Sequence, residues 1–349
     1  MTKAKSAYWQ HIIDAAQKHP QVAGLDQLPF FTLAPMEAVT DTVFRRVVAA
    51  AAAPEAFYTE FTNARSISHP KAKFTVQGRL CFVPEEASIP IAQLWGDRPI
   101  DFELGSIDLK ERGFEALDIN MGCPDSTVIK NGGGSDLIRH AEKVPALIAA
   151  AKTAGLPVSV KTRLGFNRVE TYKEWLPLLL EQDIEVLTIH LRSRKEMSKV
   201  PAHFEYIDDI LKMRDAIAPH TLIQINGDIK DRAQGLALAK AHPGLDGIMI
   251  GRGIFENPYA FSDTPTEHTL TDSLNLLRMQ LDLHDDFVTN FWPSNFQKLK
   301  RFFKIYVRNF SYASDLRIAL MDTNSTDDAR QILDTFDQQW QAKQEQKLD

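Results

Sequence analysis

The sequence predicts an α/β protein: a (β/α)8 TIM barrel followed by a small, all-helical C-terminal domain. Three observations carry this expectation. Short apolar segments recur about eight times between residues 30 and 250, and most are continuously apolar, as strands buried on both faces are. Amphipathic stretches, such as 143–153 and 172–182, alternate with them, which is the pattern of parallel βαβ units. Eight such units spread over roughly 230 residues fit a barrel. A doubly wound sheet is the competing arrangement, but no glycine-rich dinucleotide turn follows the first segment.

The strands are expected, in order, at residues 30–36, 56–61, 90–95, 116–120, 157–162, 186–190, 221–226 and 247–250. Residues 1–29 precede them as an N-terminal extension. Within it, 7–18 is expected to be a helix with Trp9, Ile12, Ile13 and Ala16 on one face. The barrel is expected over 30–260. After Pro258 the strand signal stops, and 274–287, 295–310 and 326–338 read as helices of a separate domain over 267–345.

Composition narrows the function. Of 349 residues, 44% are hydrophobic and 25% charged, which excludes disordered, collagen-like and coiled-coil classes. Forty Lys and Arg against 46 Asp and Glu leave a net charge of −6. A surface that is basic throughout is excluded, whereas a local basic patch is not. Two cysteines, Cys81 and Cys123, supply neither a disulfide framework nor a zinc site, so no metal is expected. The first residues lack an apolar leader, and the small-apolar run 47–53 is too short to span a bilayer. A cytoplasmic location follows, with no membrane segment and no protein partner expected.

Chemistry in such a barrel belongs where strands end. Glu60, Gln93, Asn120, Lys161, Arg163, His190, Arg192, Asn226, Asp228 and Arg252 all fall at expected strand ends. A lysine inside a barrel strand, Lys161, needs an anion: either a core carboxylate or a bound ligand. Turns containing Gly227 and Gly251 follow strands seven and eight, where barrels bind phosphate through backbone N–H groups. Cys123 lies between Gly122 and Pro124 at the end of strand four. It is a nucleophile if a base makes it a thiolate, or a general acid if it holds its proton. The glycines at 132, 133 and 134 predict a mobile loop behind it.

Ala34-Pro35-Met36, Thr59-Glu60, Gln93-Leu94-Trp95-Gly96, Asp118-Ile119-Asn120-Met121-Gly122-Cys123-Pro124, Val160-Lys161-Thr162-Arg163, His190-Leu191-Arg192, Asn226-Gly227-Asp228 and Gly251-Arg252-Gly253 occur in this order. Together they resemble the tRNA-dihydrouridine synthases, from about residue 30 to residue 258. The resemblance implies FMN across the barrel mouth, with Pro35 and Met36 beside its ring and Gln93 and Lys161 at the ring's polar edge. It places His190, Asn226, Gly227, Asp228, Gly251 and Arg252 around the phosphate. It implies NADPH as reductant, Cys123 as proton donor, and Glu60, Asn120, Lys130, Arg163 and Arg192 at the tRNA substrate. The triple glycine and the tail lean toward the C-type bacterial branch, which implies a uridine near position 16. The alternatives are an FMN-dependent pyrimidine dehydrogenase of the dihydroorotate dehydrogenase type, and an RNA-binding barrel without cofactor.

The tail carries one more expectation. Placed at helical spacing, 295–310 puts Leu299, Phe303, Tyr306 and Phe310 on one face and Lys298, Arg301, Lys304 and Arg308 on another. That second stripe is expected to meet tRNA phosphates, which would let a globally acidic chain bind RNA.

Overall fold

The computed structural model describes residues 5–345. Nine parallel strand segments form one sheet: β1 Phe30–Leu33, β2 Ala56–Phe57, β3 Thr62–Asn63, β4 Ala92–Trp95, β5 Leu117–Asn120, β6 Val158–Gly165, β7 Val186–Ser193, β8 Leu222–Asn226 and β9 Gly247–Ile250. Their spatial order is β2-β1-β9-β8-β7-β6-β5-β4-β3. The two edge pieces, β2 and β3, belong to one continuous stretch of chain. Between them Tyr58 bridges Ile91, with Ile91 N–H donating to Phe57 O at 2.8 Å and Thr59 N–H donating to Ile91 O at 3.0 Å. This bridge closes the sheet on itself, so nine pieces make eight staves of a barrel. Helices such as Thr42–Ala52, Pro99–Glu111, Tyr172–Leu180 and Arg232–Ala241 return the chain between strands. Asp41, Asp125 and Asp231 cap three helix starts by accepting backbone N–H bonds.

Aliphatic residues fill most of the space between strands and helices, but the barrel's own interior holds a polar layer. Gln224 Nε2 donates to Thr32 Oγ1 at 2.9 Å, and Thr188 Oγ1 donates to Gln224 Oε1 at 2.8 Å. Ser159 Oγ donates to Asp118 Oδ1 at 2.6 Å. All five side chains are buried, and their mutual bonds are what make their burial tolerable.

The N-terminal end of the barrel is floored by the helix Ala7–Ala16. Trp9, Ile12 and Ala16 are buried in one cluster with Phe30, Ala56, Tyr58, Ile91, Ala116, Val186, Leu222 and Met249. Phe30, Ala56, Val186 and Leu222 are the first residues of their strands, and Ile91 and Ala116 immediately precede theirs. Ile13, expected on the same face, is only partly buried. Gln17 ties the helix down, donating to Leu28 O and accepting from Leu28 N–H.

The C-terminal helices are Leu270–Asn290, Lys300–Tyr306, Ala313–Asp322 and Thr326–Glu345. Thr269 and Asp272 form a reciprocal cap at the start of the first. The unbroken helix expected over 295–310 is a correction: a 3-10 turn Phe296–Lys298 leads into Lys300–Tyr306, and Val307 leaves helical geometry at φ −102°, ψ 80°. Asn309 and Tyr312 then adopt positive φ. Apolar spacing runs straight through this break, so periodicity cannot detect it. The helix Ala313–Asp322 is also absent from the expectation.

Candidate active site

A cavity of about 520 Å³ opens at the C-terminal ends of the strands. Ala34, Pro35 and Met36, after β1, form its apolar wall, and Pro124 closes one side. Lys161 and Arg163 enter from β6, His190 from β7, and Asn226, Gly227 and Asp228 from the end of β8. Gly251, Arg252 and Gly253 complete the rim after β9. Gly227 has φ +125°, and a Cβ there would stand 3.1 Å from the Ala202 Cβ and 3.3 Å from the His190 ring. Glycine therefore permits this turn on both counts.

The cavity is electropositive. Burial lowers the Lys161 ammonium to about 8, and neighbouring Arg163 adds to that. Burial lowers Arg163 to about 10. His190 is driven well below its ordinary value, first by burial and then by Arg163, Lys161, Arg192 and Arg252. The imidazole is accordingly neutral at pH 7. Lys161 Nζ donates to Asn226 Oδ1 at 3.3 Å, and Asn226 Nδ2 is held by Met249 O at 2.8 Å. Asp228, at φ +52°, answers part of this charge by accepting from Arg192 and, at 3.1 Å, from Arg252. Cations crowded round an open cavity suit a ligand with a phosphate, and the flat apolar wall suits an aromatic ring. The donor set thus fits FMN.

Beside the cavity, Asn120 Oδ1 accepts from Gly122 N–H at 3.1 Å and from Cys123 N–H at 2.8 Å. These bonds fix the turn that presents Cys123. Burial pushes the Cys123 thiol up and the Glu37 carboxylate adds to that, while the Asp125 N–H, donating to the sulfur, pulls part of the way back. A thiol held protonated fits a general acid and not a thiolate nucleophile.

Several expectations are corrected here. The glycine run is packed, not free: Ser135 N–H and Oγ donate to Cys123 O at 3.0 and 2.9 Å. A Cβ at Gly133 would meet the Trp95 ring at 2.7 Å, and one at Gly134 would meet Cys123 O at 2.8 Å. The glycines let this segment close against Cys123 from behind. Arg192, expected at the substrate, is buried, with its guanidinium engaged by Val200 O, His190 and Asp228. It braces His190 and Asp228 from beneath the cavity.

Gln93 lies fully buried below the cavity, donating to Asp118 and accepting from Asn120. Glu60 is buried under the loop after β1, where its carboxylate accepts the Ala38 N–H. Lys130 is exposed at the end of the short helix Ser126–Lys130.

The four tail cations part company. Lys304 and Arg308 line a wide groove with Arg252 and Arg317, and Arg252 and Glu256 also line the barrel cavity, so the two are continuous. Arg308 also donates to Phe255 O at 2.9 Å, and Arg301 donates to Ala38 O at 3.1 Å. Lys298 is exposed on the 3-10 turn, outside the groove. Sequence reasoning assigned no site role to Met197, Ser198, Lys230 and Glu256, which line the cavity from loops, or to Arg317 in the groove. Arg317 falls in the unexpected helix; the others carry no signal beyond lying shortly after a strand.

A closed parallel barrel with a cation-lined cavity at its C-terminal mouth defines an enzyme of the barrel class. The dihydrouridine synthase family model matches residues 32–345. A probable tRNA-dihydrouridine synthase 2 of Bacillus subtilis is 54% identical over 312 residues, covering 89% of this chain and 95% of its own length. A probable tRNA-dihydrouridine synthase of Staphylococcus epidermidis is 52% identical over 317 residues, 91% of this chain and 96% of its own. Among solved structures, a 2-naphthoyl-CoA reductase shares the fold, with a TM-score of 0.51 and 11% identity over 70% of this chain and 51% of that one. The chain belongs to the dihydrouridine synthase family. Among the described residues no helix is long and apolar enough to cross a membrane.

Proposed function

We propose that this protein reduces the 5,6 double bond of a uridine in tRNA, with FMN held in the barrel cavity and NADPH as the source of electrons. The observation that carries the reading is the electropositive cavity beside a protonated Cys123, in a chain of this family. Gly227, Gly251, His190 and Arg252 hold the phosphate, Pro35 and Met36 back the ring, and Lys161 offers its ammonium to the ring's polar edge. Bound FMN supplies the hydride that adds to C6 of uracil. Arg163 and the remaining N–H of Asn120 face the uracil carbonyls and withdraw electrons from the ring. Cys123 gives its proton to C5, and the loss of that S–H is made good from solvent. The groove lined by Lys304, Arg308 and Arg317 takes tRNA phosphates, and the target base is extruded into the cavity.

Purified protein incubated with NADPH and unmodified tRNA should produce dihydrouridine, detected by nucleoside mass spectrometry, and should show bound-flavin absorption. Reduction of free uridine at an equal rate would replace the tRNA reading with that of a small-molecule pyrimidine reductase. A protein that neither binds FMN nor makes dihydrouridine would overturn the proposal.

A further inference from the structure

The buried carboxylate of Asp118 has no part in the reaction as described, yet a chain of hydrogen bonds leads from it to Cys123. Asp118 is fully buried inside the barrel at the start of β5. Its Oδ2 accepts from Gln93 Nε2 at 2.6 Å. Gln93 Oε1 in turn accepts from Asn120 Nδ2 at 2.9 Å. Asn120 Oδ1 then accepts the N–H groups of Gly122 and Cys123. Each carboxamide has one accepting and one donating end, so the polarity of every link is set by the links on either side. The far end is fixed, because a peptide N–H can only donate. The near end is fixed while residue 118 offers an acceptor.

We infer that Asp118 is the positioning residue for Cys123: by presenting an acceptor to Gln93, it locks the orientation of Gln93 and Asn120 and so the turn that carries the thiol. Burial raises Asp118 to about 6, which leaves it an acceptor at neutral pH. Ser159 Oγ donates to the other oxygen and aims the carboxylate. Without the acceptor, the Gln93 amide is released to turn. Once its N–H faces Asn120, Asn120 turns a donor toward the Gly122 and Cys123 N–H groups, and the turn loses its anchor.

The role of Cys123 as acid rests on the proposed function, but its positioning is measurable apart from turnover. The two thiols are alkylated with iodoacetamide and followed separately by peptide mass spectrometry, Cys81 serving as internal control. In Asp118→Ala, Cys123 should react about tenfold faster, as expected for the loss of one hydrogen bond's worth of restraint, with Cys81 unchanged. Dihydrouridine formation should fall while flavin content stays at the wild-type level. Asp118→Asn should restore both, since its Oδ1 still accepts from Gln93 while its amide donates to Ser159. Should Asp118→Ala fail to fold, Gln93→Leu tests the same link by removing both the donor to Asp118 and the acceptor for Asn120. Unchanged Cys123 reactivity in these variants overturns the inference. So does an equal rise at both cysteines, which signals general loosening, or an Asp118→Asn protein as reactive as Asp118→Ala. If the wild type forms no dihydrouridine, the proposed function fails while the alkylation result still decides the positioning role.

Discussion

Burial acts on Cys123 and Glu60 in the same direction, and both consequences are measurable. Cys123 keeps its proton near neutral pH, so its removal should stop chemistry and little else. Cys123→Ala is expected to lower dihydrouridine formation by about 10²–10⁴-fold, the usual contribution of a general acid, with flavin content and NADPH oxidation unchanged. Wild-type turnover in that variant would remove Cys123 from the mechanism. Glu60 is raised from 4.5 to about 7, first by burial and then by Asp41. Its folded pKa therefore exceeds its unfolded one. The folded state binds the proton more tightly, and the stabilisation present below pH 4.5 is lost as pH rises through 7. Glu60→Gln should gain stability over the wild type between pH 5 and 8, by at most roughly 3 kcal/mol. Melting temperatures of the two proteins across that range give the answer, and parallel curves would mean that Glu60 is ionised throughout.

At the scale of elements, the segment after Cys123 and the tail helices hold the mouth in shape. Gly134 has φ +58° and packs against Cys123 O. Gly134→Ala is expected to cost more than about 1 kcal/mol in stability and to slow turnover, read by thermal melting and by the dihydrouridine assay. In the tail, Lys304 faces the groove and makes no hydrogen bond to the barrel among the described residues, whereas Arg301 and Arg308 bind barrel carbonyls. Lys304→Ala should reduce the slope of log affinity against log salt for tRNA by about 0.7–0.9. Arg301→Ala and Arg308→Ala should also lower the melting temperature. An unchanged slope in Lys304→Ala would place the phosphates elsewhere. Strand ends were legible in the sequence because buried strands leave continuous apolar runs that stop at polar residues. For that reason Lys161, His190, Asn226 and Arg252 could be named before any coordinates. The state of the glycine run was not legible, because three glycines look alike whether they permit motion or close packing. The partners Trp95 and Cys123 O decide between the two, and both are tertiary. Arg192 failed for a similar reason: a strand-end cation reads as a ligand contact until Asp228 and Val200 claim it.

The whole molecule divides its labour between two ends. The cation-lined cavity sits at the C-terminal mouth, and the N-terminal helix seals the opposite floor, where Trp9 is fully buried. Trp9→Ala should cost about 3–5 kcal/mol of stability, as large buried side chains do, while the turnover of the folded protein stays near wild type. A loss of turnover at unchanged stability would show that floor and mouth communicate. The floor also has a history in synthesis. Its partners run from Phe30 to Met249, so this helix, once out of the ribosome, cannot complete its contacts until about 240 more residues have followed. At 5–20 residues per second this is a wait of roughly 10–50 s, during which the apolar face of Trp9, Ile12 and Ala16 has no native surface to cover. A nascent chain stalled before residue 247 should therefore be bound by chaperones at its N-terminus, and one stalled after the barrel closes should let them go.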